Sequence, residues 1–187
     1  LAIGPYANPP YVMEAKRANL QALENSKKVM LDVAADFERI SGRKYSFFES
    51  YRMEDADYAM VIMGSAAGTG KDAVDALRSM GIRAGLIKVR MFRPFPASQI
   101  AEALKNVKVV ACMDRTESFN TVTGPLGADV RCALYDAGIH AKFVNYVYGL
   151  GGRDVTVASL TSAYEDMMKI AADGTVGQTY RYLSLKG

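Results

Sequence analysis

The sequence predicts an α/β domain, a mostly parallel sheet with helices on both faces. Three observations carry this. From Asp57 onward, short apolar runs alternate with helix-like stretches. The runs, such as Tyr58–Met63 and Val107–Met113, are continuously apolar, as strands covered on both faces are. Glycines 64, 81 and 138 punctuate the changes of pattern, ending a strand or a helix.

The elements follow in order. Residues 1–12 are rich in proline and lack periodicity, so they read as a linker. The chain opens at Leu1 rather than Met, and the expectation is a piece cut from something longer. Residues 13–40 set Leu20, Leu23, Val29, Met30, Val33, Ala34, Phe37 and Ile40 at helical spacing before a Ser41-Gly42 stop. So long a helix after a linker reads as a spacer or interdomain strut. Residues 43–54 mix aromatics with charges and read as an ordered connector. Strands are predicted at Tyr58–Met63, Gly85–Arg90, Val107–Met113 and Lys142–Tyr148. Helices are predicted at Ala67–Met80, Ala97–Lys105 (opened by Pro96), Gly127–Ala137 and Ser159–Ala171. The tail from Gly174 is polar and aromatic, with no core of its own. The organisation is therefore 1–50 linker and long helix, 51–173 α/β core, and 174–187 tail.

Composition narrows the function classes. Half of the 187 residues are apolar and 23% are charged, with a net charge of +3, which is ordinary globular composition. No basic stripe interleaves with aromatics, so nucleic acid is not an expected partner. The apolar runs are too short to span a bilayer and there is no signal peptide, so no membrane partner and a cytoplasmic location are expected. Cys112 and Cys132 stand far apart. They do not supply the four ligands of an iron–sulfur cluster, and they read as reduced thiols packed as small hydrophobes. The one histidine, His140, has no motif partner and reads as a surface or structural residue. No nucleophile–base set, metal-ligand cluster or isolated acid pair emerges.

Four clusters remain. Gly64-Ser65-Ala66-Ala67-Gly68-Thr69-Gly70-Lys71 follows a strand and opens a helix, where orphan N–H groups attract anions. It departs from a phosphate-binding P-loop twice: Ser65 stands where the first glycine belongs, and Asp72 where Ser or Thr must follow the lysine. That argues against a nucleotide hydrolase. The plainer reading is a tight turn with Ser65 or Thr69 as N-cap. Arg90-Met91-Phe92-Arg93-Pro94-Phe95-Pro96 is a rigid cationic loop at a strand's carboxyl end. It is read as an interface, because Phe92 and Phe95 need covering. Asp114-Arg115 suits a structural ion pair. Tyr148-Gly149-Leu150-Gly151-Gly152-Arg153-Asp154 allows close backbone approach. Ser65, Gly68, Thr69 and Arg90 are the candidates for a small anion such as the phosphates of coenzyme A. Arg93, Arg153 and Asp154 are the candidates for an interface.

These stretches, together with Tyr51-Arg52-Met53-Glu54-Asp55-Ala56-Asp57 and Gly124-Pro125-Leu126, resemble core domain II in the α-subunit region of pyruvate:ferredoxin oxidoreductases and their 2-oxoacid relatives. They occur in the family's order over roughly residues 45–160. The resemblance implies a three-layer α/β/α sandwich of about five strands, similar to the transketolase C-terminal domain. It implies a whole enzyme that cleaves pyruvate or a similar 2-oxoacid with thiamine diphosphate and Mg2+. Electrons would pass through iron–sulfur clusters to ferredoxin or flavodoxin, and an acyl-CoA would form. Those groups would sit in other domains or subunits, the partners of this one. The present chain would be a non-catalytic assembly domain that binds no cofactor itself. The alternative is a module binding coenzyme A or phosphate.

Overall fold

The structure, a computed structural model, describes residues 9–186, so most of the proline-rich opening lies outside the described residues. The chain forms two compact units, 1–46 and 47–187.

The first unit is essentially one helix, α1 (Val12–Ser41). Alanines, leucines and charged residues of good helix propensity fill it. Glu14 in the first turn and Arg39 in the last complement the helix dipole. Gly42 closes it with φ 70°, its N–H donating to the Glu38 carbonyl. Tyr45 folds back edge-on to the Phe37 ring at 5.5 Å, and the Arg43 guanidinium lies 5.1 Å from that ring's centroid. No residue of α1 is buried, and Leu20, Leu23, Val33, Phe37 and Ile40 are exposed.

The second unit is built on a six-stranded sheet. Its strands are β1 (Phe48–Tyr51), β2 (Tyr58–Met63), β3 (Ala84–Val89), β4 (Val109–Asp114), β5 (Lys142–Val147) and β6 (Tyr180–Tyr182). The order is β1-β3-β2-β4-β5-β6, parallel throughout except for β1, which runs antiparallel to β3. The helices are α2 (Ala66–Ser79), α3 (Ala97–Leu104), α4 (Pro125–Asp136) and α5 (Val157–Asp173).

The four central strands explain the continuous apolar runs, because each faces a hydrophobic layer on both sides. Met60, Leu86, Ala111, Met113 and Val144 pack under Val74, Leu77, Leu160, Tyr164 and Met167 of α2 and α5. The alternate residues Ala59, Val61, Ile87, Val110 and Cys112 pack under Ile100, Leu104, Leu126, Val130 and Leu134 of α3 and α4. Adjacent strand residues point to opposite faces, so apolar residues fill most positions and not only alternate ones.

Two sequence expectations are corrected at the sheet edges. The connector contains β1, in register from Phe48↔Val89 to Tyr51↔Leu86. The tail contains β6, paired with β5, and Leu183 and Val176 pack against the core. An edge strand pairs on one side only and tolerates charged residues, so neither segment shows an apolar run. The sheet accordingly has six strands rather than about five. The thiols are also unlike each other: Cys112 is buried and Cys132 is exposed on α4.

Gly85 has a steric role. A Cβ there would meet the Arg52 carbonyl oxygen at 2.7 Å, Met53 Sδ at 2.7 Å and Ala56 Cβ at 2.8 Å. Its own carbonyl accepts a hydrogen bond of 2.7 Å from the buried Tyr164 hydroxyl. Gly85→Ala must therefore push backbone aside and is expected to cost about 1–3 kcal/mol. Urea unfolding of the variant against the parent measures it.

Candidate functional site

At the carboxyl end of the sheet the chain diverges. After β2 it turns through α2 toward β3, and after β4 it turns through α4 toward β5 on the opposite side. Open α/β sheets form a crevice at such a switch point. Here the crevice is a pocket of about 370 Å³. Its walls come from Met63 at the end of β2, Ser65 and Ala66 after it, Phe92 after β3, Asp114 to Thr116 at the end of β4, Leu126 of α4, and Tyr148 after β5.

One wall is held by a buried polar network. Asp114, 4% exposed, accepts from the N–H groups of Leu126 (2.9 Å) and Gly127 (3.0 Å) in the first turn of α4. It also accepts from Asn145 Nδ2 at 2.9 Å. A carboxylate from a neighbouring strand thus caps α4, whose own N-cap, Gly124, has no side chain to offer. Asn145, 1% exposed, donates a second bond to the Cys112 carbonyl at 2.8 Å. Its Oδ1 accepts from Thr123 Oγ1 at 3.0 Å and from the Gly124 N–H. The network leaves no room for neighbouring side chains. A Cβ on Gly124 would meet Asp114 Oδ2 at 2.5 Å, and one on Gly127 would meet Asn145 Oδ1 at 2.7 Å. Among the described residues no fully occluded side-chain polar atom lacks a partner.

The other wall is less saturated. Ser65 occupies the N-cap position of α2 but makes no side-chain capping bond. Arg115 Nε donates to the Gly149 carbonyl at 3.1 Å. Burial pushes the Tyr148 phenol above its usual range, against the opposing charge of Arg115, so the hydroxyl stays protonated at neutral pH. Burial likewise raises the Cys112 thiol, aided by the Asp114 charge. Among the described residues no cluster of His, Cys, Asp or Glu could hold a metal ion, and no helix is long and apolar enough to cross a membrane.

Residues 56–160 match the family model described as pyruvate:ferredoxin oxidoreductase core domain II. The chain belongs to this family. It is 42% identical over 183 residues to the pyruvate synthase subunit PorA of Thermotoga maritima, covering 98% of the chain and 46% of that subunit. It is 38% identical over 187 residues to the ketoisovalerate oxidoreductase subunit VorA of Pyrococcus abyssi, covering 100% of the chain and 47% of that subunit. The chain thus spans about half the length of the curated relatives it matches. Two solved structures share the fold. An inactive split-gene transketolase β4 tetramer has a TM-score of 0.53 at 17% identity, over 69% of this chain and 44% of that one. The 2-oxoglutarate:ferredoxin oxidoreductase of Magnetococcus marinus has a TM-score of 0.50 at 17% identity, over 70% and 21%.

Within this core domain II fold the residues singled out in the sequence take separate places. Ser65 lines the pocket, while Gly68 and Thr69 lie inside α2 and do not. Thr69 is therefore not an N-cap. The glycine-rich stretch is mostly helix, and Gly70 packs a backbone surface against Leu86, whose Cδ1 a Cβ would meet at 2.5 Å. Arg90 lies outside the pocket and donates to Glu49 Oε2, while Lys71 donates to Glu49 Oε1. Arg93, across a cis peptide bond to Pro94, pairs with Asp129 at 2.7 Å and stacks on Phe92. Phe92 and Phe95 are partly covered by the unit's own second hydrophobic layer. Arg153 donates to the Ser184 carbonyl, and Asp154 lies exposed beside it.

Asp114 and Arg115 form no ion pair with each other among the described residues. The Asp114 carboxylate is turned inward onto α4 and the Arg115 side chain is exposed. Asn145, Glu49 and Asp129 carried no sequence signal, because each partner is distant in the chain. An asparagine in the otherwise apolar run Phe143–Tyr148 was the one available hint.

Two outcomes follow. Asp114→Ala strips the cap from α4 and leaves buried N–H groups unpaired, at a cost of about 3 kcal/mol in chemical denaturation. The hydrogen bond from Lys71 holds Glu49 below the usual carboxylate range, against partial desolvation and with help from the charges of Lys71 and Arg90. Its stabilisation is present above the ordinary value of 4.5 and is lost as pH falls through the lowered folded value. Unfolding midpoints of the parent and Glu49→Gln should differ at neutral pH, begin to approach each other as pH falls past 4.5, and converge once it is below the lowered folded value.

Proposed function

We propose that this chain is a structural and assembly domain of a 2-oxoacid:ferredoxin oxidoreductase. The whole enzyme would convert pyruvate or a related 2-oxoacid to an acyl-CoA by oxidative decarboxylation and reduce ferredoxin or flavodoxin. The observation that carries the reading, beside family membership, is how the conspicuous polar residues are used. Asp114, Asn145 and Thr123 fix the loop between β4 and α4. Glu49 ties α2, β1 and the Arg90 loop together. These are fastening roles.

The cofactors of such an enzyme would be thiamine diphosphate, Mg2+, iron–sulfur clusters and coenzyme A. The donor set described here does not fit the metal groups. The two cysteines lie on different elements, one buried and one exposed, and among the described residues no acidic cluster gathers. No reaction step is therefore assigned to these residues. The partners would be other domains or subunits of the same enzyme, met through the loops at Arg93, Arg153 and Asp154. There Gly149, Gly151 and Gly152 adopt positive φ and keep the backbone open to close approach.

The test is turnover by the chain alone, supplied with pyruvate, thiamine diphosphate, Mg2+, coenzyme A and methyl viologen. No dye reduction is expected. Sustained reduction that depends on pyruvate and on the chain would overturn the assembly role. In the complete enzyme, Arg153→Glu should weaken subunit association on gel filtration while leaving the Tm of the isolated chain nearly unchanged.

A further inference from the structure

The pocket at the switch point holds one feature that the fastening network leaves unused. Tyr148 is 5% exposed, yet among the described residues its hydroxyl has no hydrogen-bond partner. It is not among the fully occluded atoms, so it reaches open space. The charged groups bearing on it are Arg115 and Asp114, and both line the pocket. A phenol whose ring is buried in the core while its hydroxyl opens on a cavity, free of protein partners, offers a fixed hydrogen-bonding group to a ligand atom.

The other polar groups on this side are donors too. Among the described residues, the N–H groups of Ser65 and Ala66 at the start of α2 donate to no backbone carbonyl. The Ser65 side chain does not cap them. Unlike α4, whose first turn is filled by Asp114, α2 presents its positive end uncovered to the pocket. Arg115 supplies one full positive charge at the rim, exposed and held by Gly149. The one acidic wall group, Asp114, has its oxygens engaged by Leu126, Gly127 and Asn145. Met63, Phe92, Met113 and Leu126 make the rest of the lining apolar.

We propose that this pocket binds a small organic monocarboxylate, its head group at the Ser65–Ala66 amides, the Tyr148 hydroxyl and Arg115, and its apolar body between Met63, Phe92 and Leu126. A single negative charge suits the site better than a doubly charged phosphate. One arginine and one helix end provide the positive potential, and the Asp114 carboxylate forms part of the same wall. The volume of about 370 Å³ lies in the range of small-molecule sites.

The probe is benzoate, with neutral benzamide as its isostere. Titration of the isotope-labelled chain, followed by ¹H–¹⁵N NMR, should show saturable benzoate shifts at the Ser65 and Ala66 amides. Benzamide should bind about tenfold more weakly, as expected for loss of a charge-assisted contact. Tyr148→Phe keeps the ring and Arg115→Gln keeps most of the surface stem. Each should weaken benzoate several-fold, weaken benzamide by a smaller factor and leave Tm nearly unaltered. The proposal fails if benzoate and benzamide bind alike, or if benzoate moves neither amide at about 20 mM, well above a millimolar dissociation constant. It also fails if both variants bind benzoate as the parent does. The readout is binding by the chain alone, so it is independent of the turnover assay that tests the assembly role.

Discussion

The second unit turns on the contact between Asp114, at the carboxyl end of β4, and Asn145 of the neighbouring strand β5. These two side chains satisfy the first turn of α4 and the Thr123 hydroxyl, and Asn145 adds a side-chain bond to the Cys112 carbonyl. A buried carboxylate is tolerable only when its oxygens are engaged, and here backbone amides and a side-chain amide engage them. The consequence is geometric. The loop after β4 must return so that α4 begins directly over Asp114, and the residues at 124 and 127 must lack a Cβ. The Gly124-Pro125-Leu126-Gly127 sequence is the imprint of that requirement, with Pro125 at the first helical position where its missing N–H costs nothing.

Saturation on one side of the crevice sets the character of the other. With α4 capped from within, its dipole is not available to a ligand. The amide ends of α2, the Tyr148 phenol and Arg115 remain as the donors that face open space. The two helices leave the switch point in opposite directions and meet opposite fates, one fastened and one open. A second fastening centre, Glu49 with Lys71 and Arg90, joins the antiparallel edge strand to α2 and β3. It is only partly buried, so it contributes orientation more than free energy.

Much of the α/β core is legible in the sequence because burial on both faces writes an unbroken apolar run, which no loop imitates. The four central strands and their helices follow from that rule and from glycines at the stops. The edges did not show it. Phe48–Tyr51 and Tyr180–Tyr182 each pair on one side, are short, and carry aromatics and charges that look like connectors. The glycine-rich stretch after β2 is ambiguous for another reason. Its later glycine is spent on helix packing against Leu86, a use that has the same composition as a ligand loop.

The sequence by itself determined the layered α/β class, the central strands and the family to which the ordered motifs point. These rest on local periodicity and on short contiguous strings. Tertiary structure alone decided what each polar residue does. Asp114 reads as the partner of adjacent Arg115 but reaches instead to α4 and to Asn145, 31 positions on. Arg90, a candidate for an anion in the sequence, lies on Glu49, 41 positions earlier. A charge seeks whichever partner the fold brings within about 3 Å, and separation along the chain does not enter that energy.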